Sequence, residues 1–396
     1  MTTSRVRNSQ FRSVEIAGVG NTTFGKHLDR SIGSLAAEAV ESAILDAKIR
    51  GQDVEAVFFS NAASGLITGQ EMIRGQVALK GTELAGLPIV NTENACASGG
   101  TAAHLAWLSV ASGLSDIAIA IGAEKLFHAD KRRSFAAIES GTDLSLSMPA
   151  GVQGSVMMGA YAEEARAYSE AHGDVTDALA AIAVKNRHFA SLNSAAQFQK
   201  PITREDVQES RLVADPLRLL TCSPLTDGAA AIVFRAASES PVIRANPRVL
   251  IAASALCSYQ TGNSVVERAA SQAYNLSGLS APKVDVFQLH DACAFAELIQ
   301  YEQVGIAQPG YGAKAALNGV TGADGQFPVN TDGGLLSRGH ALGATGLAQL
   351  IELTRQLRGT AGPRQLVQAE TALAVNSGGW MGDDYAASVA TLLVSD

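Results

Sequence analysis

The sequence predicts a duplicated α/β protein with two similar halves and a loop or cap domain inserted into the first. Short apolar runs alternate with helix-length amphipathic runs along most of the 396 residues. A more polar stretch interrupts this alternation from about residue 124 to 220, and the order of elements begins again after residue 245. We therefore predict an N-terminal half over residues 1–245, including the insertion, and a C-terminal half over residues 246–396.

The predicted elements of the first half follow from the period of their apolar residues. Strands are short apolar runs bounded by turn residues, whereas helices are longer and amphipathic, the first with a serine at its start. The predicted strands cover residues 14–19, 54–59, 87–90, 117–122 and 227–234. The predicted helices cover residues 34–47 and 101–112 and, inside the insertion, 161–168 and 177–189.

The second half repeats this order at a domain-sized period. In chain order, its matching segments are residues 249–255, 284–287, 328–331 and 384–389, which resemble residues 14–19, 54–58, 89–92 and 227–234. Such weak similarity indicates a duplication, with the two halves packed around a pseudo-twofold axis. Equivalent loops would then meet at the centre, which places the loop before His340 beside the loop that holds Cys96.

The composition argues against several classes of protein. Thirty Lys and Arg residues against 38 Asp and Glu residues give a net charge of −8, so nucleic acid is not the expected partner. The longest apolar run, near residues 117–123, is too short for membrane insertion. Residues 1–12 lack the apolar core of a signal peptide. Four scattered cysteines without zinc spacing indicate reduced thiols, so we expect a cytoplasmic protein without a metal site.

Cys96 lies in a turn between a short strand and a helix, in the segment NACASGG at residues 94–100. A helix N-terminus presents free N–H groups and a partial positive charge, which lower the pKa of a cysteine. The same N–H groups can stabilise an oxyanion on a bound substrate. A lone cysteine is more often a buried, inert thiol. The small residues around Cys96 leave room for a substrate, so we predict a nucleophile.

His340 lies in a glycine-rich turn, GGLLSRGHALGATG at residues 333–346, ahead of a predicted helix over 346–357. The glycines permit a tight turn and a close approach of the backbone. A single histidine is usually a structural or surface residue. Because this turn is the repeat equivalent of the cysteine loop, we predict that His340 is a catalytic base.

The segment HDAC at residues 290–293 follows a predicted buried strand, where the sites of α/β proteins usually lie. We predict that His290 donates a hydrogen bond to a carbonyl oxygen. Asp291 either orients His290 or caps the following helix, which is the commoner role for such a residue. Cys293 is either a proton carrier or a buried core thiol.

Two further segments are candidate binding elements. Asn376 and Gly378 belong to the turn NSGGWMGDD at residues 376–384, where the Gly378 N–H is predicted to complete an oxyanion site. An ordinary glycine turn is the alternative. The second segment is the basic cluster Lys131, Arg132 and Arg133 in the insertion, which is either a solvated face or a site for cofactor phosphates.

Together these motifs resemble the thiolase superfamily over nearly the whole chain. The segment NACASG at residues 94–99 resembles the family's nucleophile motif. The segment GHALGATG at residues 339–346 resembles its GHxxGATG-like motif, with Ala341 in place of the usual proline. The tripeptide DGA at residues 227–229 is similar to the family's SDGAAA strand. The resemblance implies the duplicated thiolase fold, with αβαβα layers.

The subtype resembles the non-classical thiolases. Classical thiolases carry an NEAF motif where this chain has HDAC, and a histidine there resembles the sterol-carrier-protein type, in which a cysteine often follows HD directly. Classical thiolases also have a second catalytic cysteine in a CxGG turn, and Asn376 takes its position here. Similar departures occur in bacterial thiolase-like subunits that work with a small OB-fold, zinc-ribbon protein, so such a partner is expected.

The resemblance implies an acyl-CoA C-acyltransferase of the 3-oxoacyl-CoA thiolase type, acting as a homodimer. Cys96 would be the nucleophile and His340 its base, His290 would hold an enolate, and Cys293, water or a partner group would donate a proton. CoA and acyl-CoA would be substrates, with no covalently bound cofactor. The alternatives are a decarboxylating ketosynthase, an aromatic C-acyltransferase or aldolase-like subunit of a complex, and a non-catalytic acyl-CoA- or lipid-binding subunit.

Overall fold

The computed structural model describes residues 11–145, 156–238 and 246–396. The predicted boundary at residue 245 and part of the predicted insertion, residues 146–155, lie outside them. The strands are β1 (Val14–Asn21), β2 (Ala56–Ser60), β3 (Ile89–Thr92), β4 (Ile117–Glu124), β5 (Leu212–Ala214), β6 (Leu217–Arg218), β7 (Gly228–Ala236), β8 (Val249–Ser258), β9 (Val286–Gln288), β10 (Thr371–Gly378) and β11 (Ala387–Ser395).

The described residues also form helices of four to seventeen residues. They are α1 (Ile32–Ala47), α2 (Ser64–Thr68), α3 (Arg74–Leu79), α4 (Ser98–Ala111), α5 (Lys131–Glu139), α6 (Val156–His172), α7 (Thr176–Ser191), α8 (Arg204–Glu209), α9 (Val265–Ser277), α10 (Ala294–Gln303), α11 (Gly312–Leu317), α12 (Gly334–Ser337) and α13 (Leu342–Arg358). Within this part of the chain, no helix combines the length and the apolar character that a membrane span needs.

The main sheet has a strand order that is mirrored about its centre. Its order is β3-β2-β4-β7-β1-β8-β11-β10-β9. The two halves use the same pairings, because β2 and β4 are parallel like β9 and β10, and β4 and β7 are antiparallel like β10 and β11. Beyond β9, Val329 forms a parallel bridge with Phe287 at the place that β3 occupies in the first half. The two similar halves predicted from the repeat are therefore confirmed.

Three apolar clusters separate five layers. The first cluster joins α1 to the outer face of the first-half strands, through residues such as Leu35 and Ile119. The second lies between the two halves of the sheet and contains residues of α4 and α13, including Ala106 and Leu347. The third joins the outer face of the second-half strands to α9 and α10, for example at Phe295. The resulting order of helix, sheet, helix, sheet and helix is the predicted αβαβα arrangement.

The central helices α4 and α13 are equivalent elements of the two halves and pack directly against each other. At Gly346, a Cβ atom would overlap the backbone nitrogen of Gly100 and the side-chain oxygen of Asn376. Only glycine permits this approach. Because Cys96 lies just before α4 and His340 just before α13, the contact brings the two turns together.

The inserted cap packs largely over the second half. Tyr161 of α6 and Ile182 of α7 belong to the same apolar cluster as Phe287 and Phe295. Both helices extend beyond the predicted ranges, α6 to Val156–His172 and α7 to Thr176–Ser191. The first turn of α6 is apolar throughout and its last turn is polar, so neither shows the amphipathic period that marks the centre of the helix. The cap therefore contributes side chains to the space above the ends of the central helices.

Candidate active site

Cys96 lies in a tight turn between β3 and α4. The Asn94 N–H donates to the Ser98 hydroxyl at 2.9 Å, and that hydroxyl donates to the Ala95 carbonyl at 2.6 Å. Ala95 has a φ of 47°, a conformation that is unfavourable for a residue with a Cβ atom. These bonds hold the turn in a strained shape, with the sulfur just ahead of the first turn of α4.

The surroundings of the Cys96 thiol raise its pKa. The side chain is half-buried and packs against an apolar cluster that includes Leu126. Burial, followed by the nearby carboxylates of Glu124 and Glu93, raises the pKa of the thiol to about 12. The N–H groups of Cys96 and Gly379 act in the opposite direction but do not compensate. The expected lowering of the pKa by the helix is therefore wrong, and the resting residue is a neutral thiol that needs a base.

Two threonine hydroxyls orient His340. Its backbone N–H donates to Thr226 Oγ1 at 2.9 Å, and its ring Nδ1 lies 2.8 Å from Thr345 Oγ1. The Thr345 hydroxyl donates its single hydrogen to the Ala341 carbonyl at 3.0 Å, so it accepts from Nδ1–H of the ring. We therefore assign the hydrogen to Nδ1 and a lone pair to Nε2. A ring nitrogen with a lone pair is able to act as a base.

The Asn376 side chain gives His290 the opposite tautomer. Its Oδ1 accepts from the Gly100 N–H at 2.9 Å, which orients the amide. Its Nδ2 donates to the Cys96 carbonyl at 3.0 Å and lies 3.4 Å from His290 Nδ1. Because an amide nitrogen only donates, His290 Nδ1 accepts, and the ring hydrogen is assigned to Nε2. His290 is thus prepared as a donor and His340 as an acceptor.

The three predicted side chains Cys96, His290 and His340 meet at one point. One sulfur or ring nitrogen atom from each lies within 4.8 Å of the other two, and the ring centroids of the histidines are 5.2 Å apart. Burial, with Arg338 contributing, lowers the pKa of His290 to about 3. Burial also lowers the pKa of His340 well below its usual range. All three residues are therefore uncharged in the resting site at neutral pH.

These three residues line a cavity of about 590 Å³, to which the inserted cap contributes. Within the predicted basic cluster, Lys131 lines this cavity, whereas the exposed Arg132 pairs with Asp130 at 2.9 Å. Arg133 is exposed and is not part of the wall. The arrangement of the three ligating atoms could also hold a metal ion, and the described residues contain no other group of this kind.

Asp291 and Cys293 of the HDAC segment both make structural contacts. The Asp291 carboxylate accepts from the N–H groups of Leu335 and Leu336 at 2.7 and 3.2 Å, so it caps α12 instead of α10. The Cys293 sulfur is fully buried, accepts from the Ala296 N–H at 3.4 Å and caps α10. Cys293 is not part of the cavity wall. Its role as a proton carrier stays a prediction.

Gly378, at the end of β10, lies directly against the cysteine turn. A Cβ atom there would overlap the backbone nitrogens of Cys96 and Ala97, so this contact also requires glycine. The N–H groups within reach of the sulfur are those of Cys96 and of Gly379, the residue that follows Gly378. The turn therefore supplies N–H donors next to the thiol, and the oxyanion role of the Gly378 N–H stays a prediction.

Sequence reasoning missed several residues of the cavity wall. Tyr161 and Tyr385 are both buried there, one from the cap and the other from the second half. Cys222 and the exposed Arg211 also line it. No motif links these positions. Thr345, which orients His340, was also missed, although its place inside the GHALGATG segment could have indicated it.

A cysteine turn, an acceptor histidine and a donor histidine, joined across two halves of an αβαβα fold, define an enzyme that transfers groups through a cysteine. The chain belongs to the thiolase family. Residues 14–238 match the family described as "Thiolase, N-terminal domain", and residues 255–390 match "Thiolase C-terminal domain-like". The two matches together cover most of the chain.

Named relatives match over most of this chain. An acetyl-CoA acetyltransferase of Methanothermobacter thermautotrophicus is 37% identical, over 93% of this chain and 97% of that protein. The benzoylsuccinyl-CoA thiolase subunit BbsB of Thauera aromatica is also 37% identical, over 88% of this chain and 89% of that one. Sterol carrier protein 2 of Gallus gallus is 33% identical, over 93% of this chain and 70% of that protein.

Solved structures share the fold. An Ltp2-ChsH2(DUF35) aldolase matches with a TM-score of 0.78 at 24% identity, over 98% of this chain and 99% of that chain. Human mitochondrial 3-ketoacyl-CoA thiolase matches with a TM-score of 0.72 at 16% identity, over 98% of this chain and 100% of that chain.

Alkylation of Cys96 by iodoacetamide is expected to report its raised pKa. Only the thiolate reacts, so a pKa of about 12 makes the rate rise about tenfold per pH unit from pH 7 to 10. An ordinary thiol would approach a plateau above about pH 8.5. Intact mass spectrometry gives the rate, and Cys96→Ala assigns the modified residue. A plateau below about pH 9 would contradict the expected raised pKa and show that the resting site stabilises the thiolate.

Proposed function

We propose that this chain is an acyl-CoA C-acyltransferase of the 3-oxoacyl-CoA thiolase type, which acts through an acyl group on Cys96. The reaction is either CoA-dependent cleavage of a 3-oxoacyl-CoA or the reverse Claisen condensation. The observation that carries the proposal is the meeting of Cys96, His290 and His340 within 4.8 Å on a large cavity. The names of the two relatives at 37% identity, an acetyl-CoA acetyltransferase and a thiolase subunit, support it.

His340 starts the reaction by taking the Cys96 proton on Nε2, the ring nitrogen that carries a lone pair. The thiolate then forms a C–S bond to the keto carbon of the substrate. The oxyanion accepts hydrogen bonds from the N–H groups of Cys96 and Gly378, and loss of one such donor typically costs about 3 kcal/mol. Collapse of the oxyanion breaks the C–C bond and leaves the acyl group on Cys96.

The departing acyl-CoA leaves as an enolate, whose oxygen needs hydrogen-bond donors. His290 already carries a hydrogen on Nε2, and His340 gains one there when it takes the Cys96 proton. Both rings are then donors on the same side of the cavity. The enolate carbon takes a proton, for which Cys293 is the candidate from the sequence. Free CoA finally removes the acyl group from Cys96.

CoA takes part as a substrate, and the proposed reaction uses no covalently bound cofactor. Lys131 and Arg211 are exposed cations on the cavity wall and suit the CoA phosphates. Arg132 and Arg133 extend the same basic surface next to Lys131. These residues would hold the nucleotide end of CoA while its thiol reaches Cys96.

A homodimer is the expected assembly, with β3 at its interface. β3 ends the sheet, and its residue Val90 is 48% exposed. Met72 and Ile73, which precede the helix packed on β3, are 76% and 60% exposed. An open strand edge with apolar neighbours favours pairing with another chain.

Light scattering on the purified chain should give the mass of two copies, and a monomer mass would contradict this assembly.

A small OB-fold, zinc-ribbon protein is the expected accessory partner, and the reducing cytoplasm is the expected compartment. The relative from Thauera aromatica is named as a thiolase subunit, and one structure with this fold contains ChsH2(DUF35) together with Ltp2. All four cysteines are free thiols, which agrees with a reducing compartment. Formation of acyl-enzyme by the purified chain alone would show that the partner is not needed for that step.

Incubation with a panel of 3-oxoacyl-CoAs is expected to acylate Cys96. Intact mass spectrometry should show one added acyl group on the wild type and none on Cys96→Ala, because that variant has no nucleophile. Cys257→Ala is the matched control, since Cys257 is a buried free thiol in β8 and should leave labelling unchanged. An acylated Cys96→Ala protein would refute the nucleophile assignment.

The same variants separate the alternatives. Consumption of malonyl donors without CoA as acyl acceptor would indicate a decarboxylating ketosynthase. Cleavage of a 3-hydroxyacyl-CoA by Cys96→Ala would indicate an aldolase, and acyl transfer to an aromatic carbon would indicate an aromatic C-acyltransferase. Binding of acyl-CoA with no label on Cys96 would indicate a non-catalytic subunit.

Replacing Thr345 by Val is expected to lower kcat/KM by about ten- to a hundredfold, since misplacement of a catalytic group has effects of this size. The substitution keeps the shape of the side chain and removes the oxygen that orients His340. Thr354→Val on the same helix is the control, because among the described residues the buried Thr354 hydroxyl bonds only its own helix, at the Leu350 carbonyl. Equal kcat/KM in both variants would remove Thr345 from the positioning of the base.

A further inference from the structure

The proposed reaction needs an acid for which the site has no obvious group. The enolate carbon must receive a proton after the C–C bond breaks. Asn376 occupies the position of a second cysteine, and a carboxamide is not an acid in water. The Cys293 sulfur is buried, caps α10 and does not line the cavity. The acid must therefore be sought among the other side chains of the wall.

Two buried tyrosines form a hydrogen-bonded pair on this wall. The Tyr161 hydroxyl donates to the Tyr385 hydroxyl at 3.0 Å. Tyr161 and Tyr385 are 2% and 5% exposed, and both line the same cavity as Cys96. Within the described residues, the hydrogen of the Tyr385 hydroxyl has no hydrogen-bond acceptor. That hydrogen is available to a molecule bound in the cavity.

The Tyr385 ring is held next to the donor histidine. Its centroid lies 5.9 Å from that of His290 at an interplanar angle of 86°, and 5.9 Å from that of Trp380 at 87°. Its backbone N–H donates to the Asp384 carboxylate at 2.7 Å, and the other oxygen of that carboxylate accepts from Val265 at the start of α9. Tyr385 therefore has a fixed position beside the ring that would hold the enolate oxygen.

We propose that Tyr385 is the acid that protonates the α-carbon of the departing acyl-CoA, with Tyr161 as its positioning residue. This inference rests on the thiolase-type function proposed above. When the C–C bond breaks, its electron pair becomes the enolate. The O–H bond of Tyr385 then breaks, its proton forms the new C–H bond, and the oxygen keeps the electron pair as a tyrosinate. The hydroxyl of Tyr161 donates to that oxygen and stabilises the charge.

The second half of the reaction returns both Tyr385 and Cys96 to their protonated forms. CoA supplies the proton that Tyr385 needs. The Tyr385 oxygen takes the proton of the CoA thiol, and the resulting thiolate attacks the acyl carbon on Cys96. The C–S bond to Cys96 breaks, and the released sulfur takes back its proton from His340. No charge or proton is left over after one cycle, and no further reactant is needed.

The acidity of the pair is consistent with this role. Burial raises the pKa of Tyr385 above its usual range, while the hydrogen bond from Tyr161 acts to lower it. A weak acid is sufficient, because an enolate carbon is a much stronger base than a phenolate. Cys222 is the rival on the wall, but it is a single thiol whose pKa burial raises to about 12. Among the hydrogen bonds of the described residues, none joins the Cys222 thiol to His290 or His340.

The test compares two acyl donors that differ in their need for an acid. The first is the 3-oxoacyl-CoA that acylates the wild type fastest, from a series beginning with acetoacetyl-CoA. The second is p-nitrophenyl acetate, whose leaving group departs without a proton. In Tyr385→Phe, which keeps the ring, C–C cleavage should fall by about 10²- to 10⁴-fold, the usual contribution of a general acid. Acetylation of Cys96 by p-nitrophenyl acetate should stay at the wild-type rate, which also shows that the variant is folded.

Three variants complete the test. Tyr168→Phe is the matched control, because the Tyr168 hydroxyl bonds Glu302 away from this cavity, and it should cleave like the wild type. Tyr161→Phe should lower kcat with KM unchanged, and it should cause no further loss when added to Tyr385→Phe. A purely structural role for Tyr161 would instead change acetylation by p-nitrophenyl acetate.

The outcomes separate this inference from the proposed function. Wild-type cleavage by Tyr385→Phe would overturn the role of Tyr385, and strong loss in Cys293→Ala or Cys222→Ala at the same time would assign the acid to that cysteine. If the wild type itself formed no acyl-enzyme with any 3-oxoacyl-CoA, the thiolase-type function would fail instead.

Discussion

The close contact between α4 and α13 is the constraint on which the site depends. Each helix follows one of the two central turns, so the distance between the helices sets the distance between Cys96 and His340. Glycine at position 346 allows the backbones to approach where any side chain would overlap. Apolar residues of both helices then fill the space between the two halves of the sheet. The fold thus brings together groups from opposite halves of the chain.

Hydrogen bonds then give the two imidazole rings different tautomers, so that one ring accepts a proton and the other donates a hydrogen bond. His340 faces a hydroxyl whose hydrogen is already donated, whereas His290 faces an amide nitrogen that can only donate. Burial keeps both rings neutral, so these contacts and not charge decide which nitrogen carries a hydrogen. Asn376 also bonds the cysteine turn and the first turn of α4. One side chain therefore links the nucleophile, a central helix and the donor histidine.

Cys96 and His340 could be placed together from the sequence because the repeat carries long-range information. The apolar periods also located the central helices and most strands of the main sheet, but the last predicted segment, 384–389, overlaps only the start of β11 at Ala387–Ser395. The raised pKa of Cys96 could not be found in this way, because it depends first on burial by apolar neighbours from distant segments and then on Glu124 at the end of β4. Tyr161 and Tyr385 are 224 positions apart in the chain, and no local pattern indicates that they meet.

The contact between the central helices also has a consequence for biosynthesis. A ribosome releases about 5 to 20 residues per second, so the partner of α4, made roughly 250 residues later, is absent for on the order of ten seconds or more. During that interval the face of α4 that carries Gly100 is not covered by α13. The first half therefore cannot complete its interior until α13 has been synthesised, and the active centre forms only after that point.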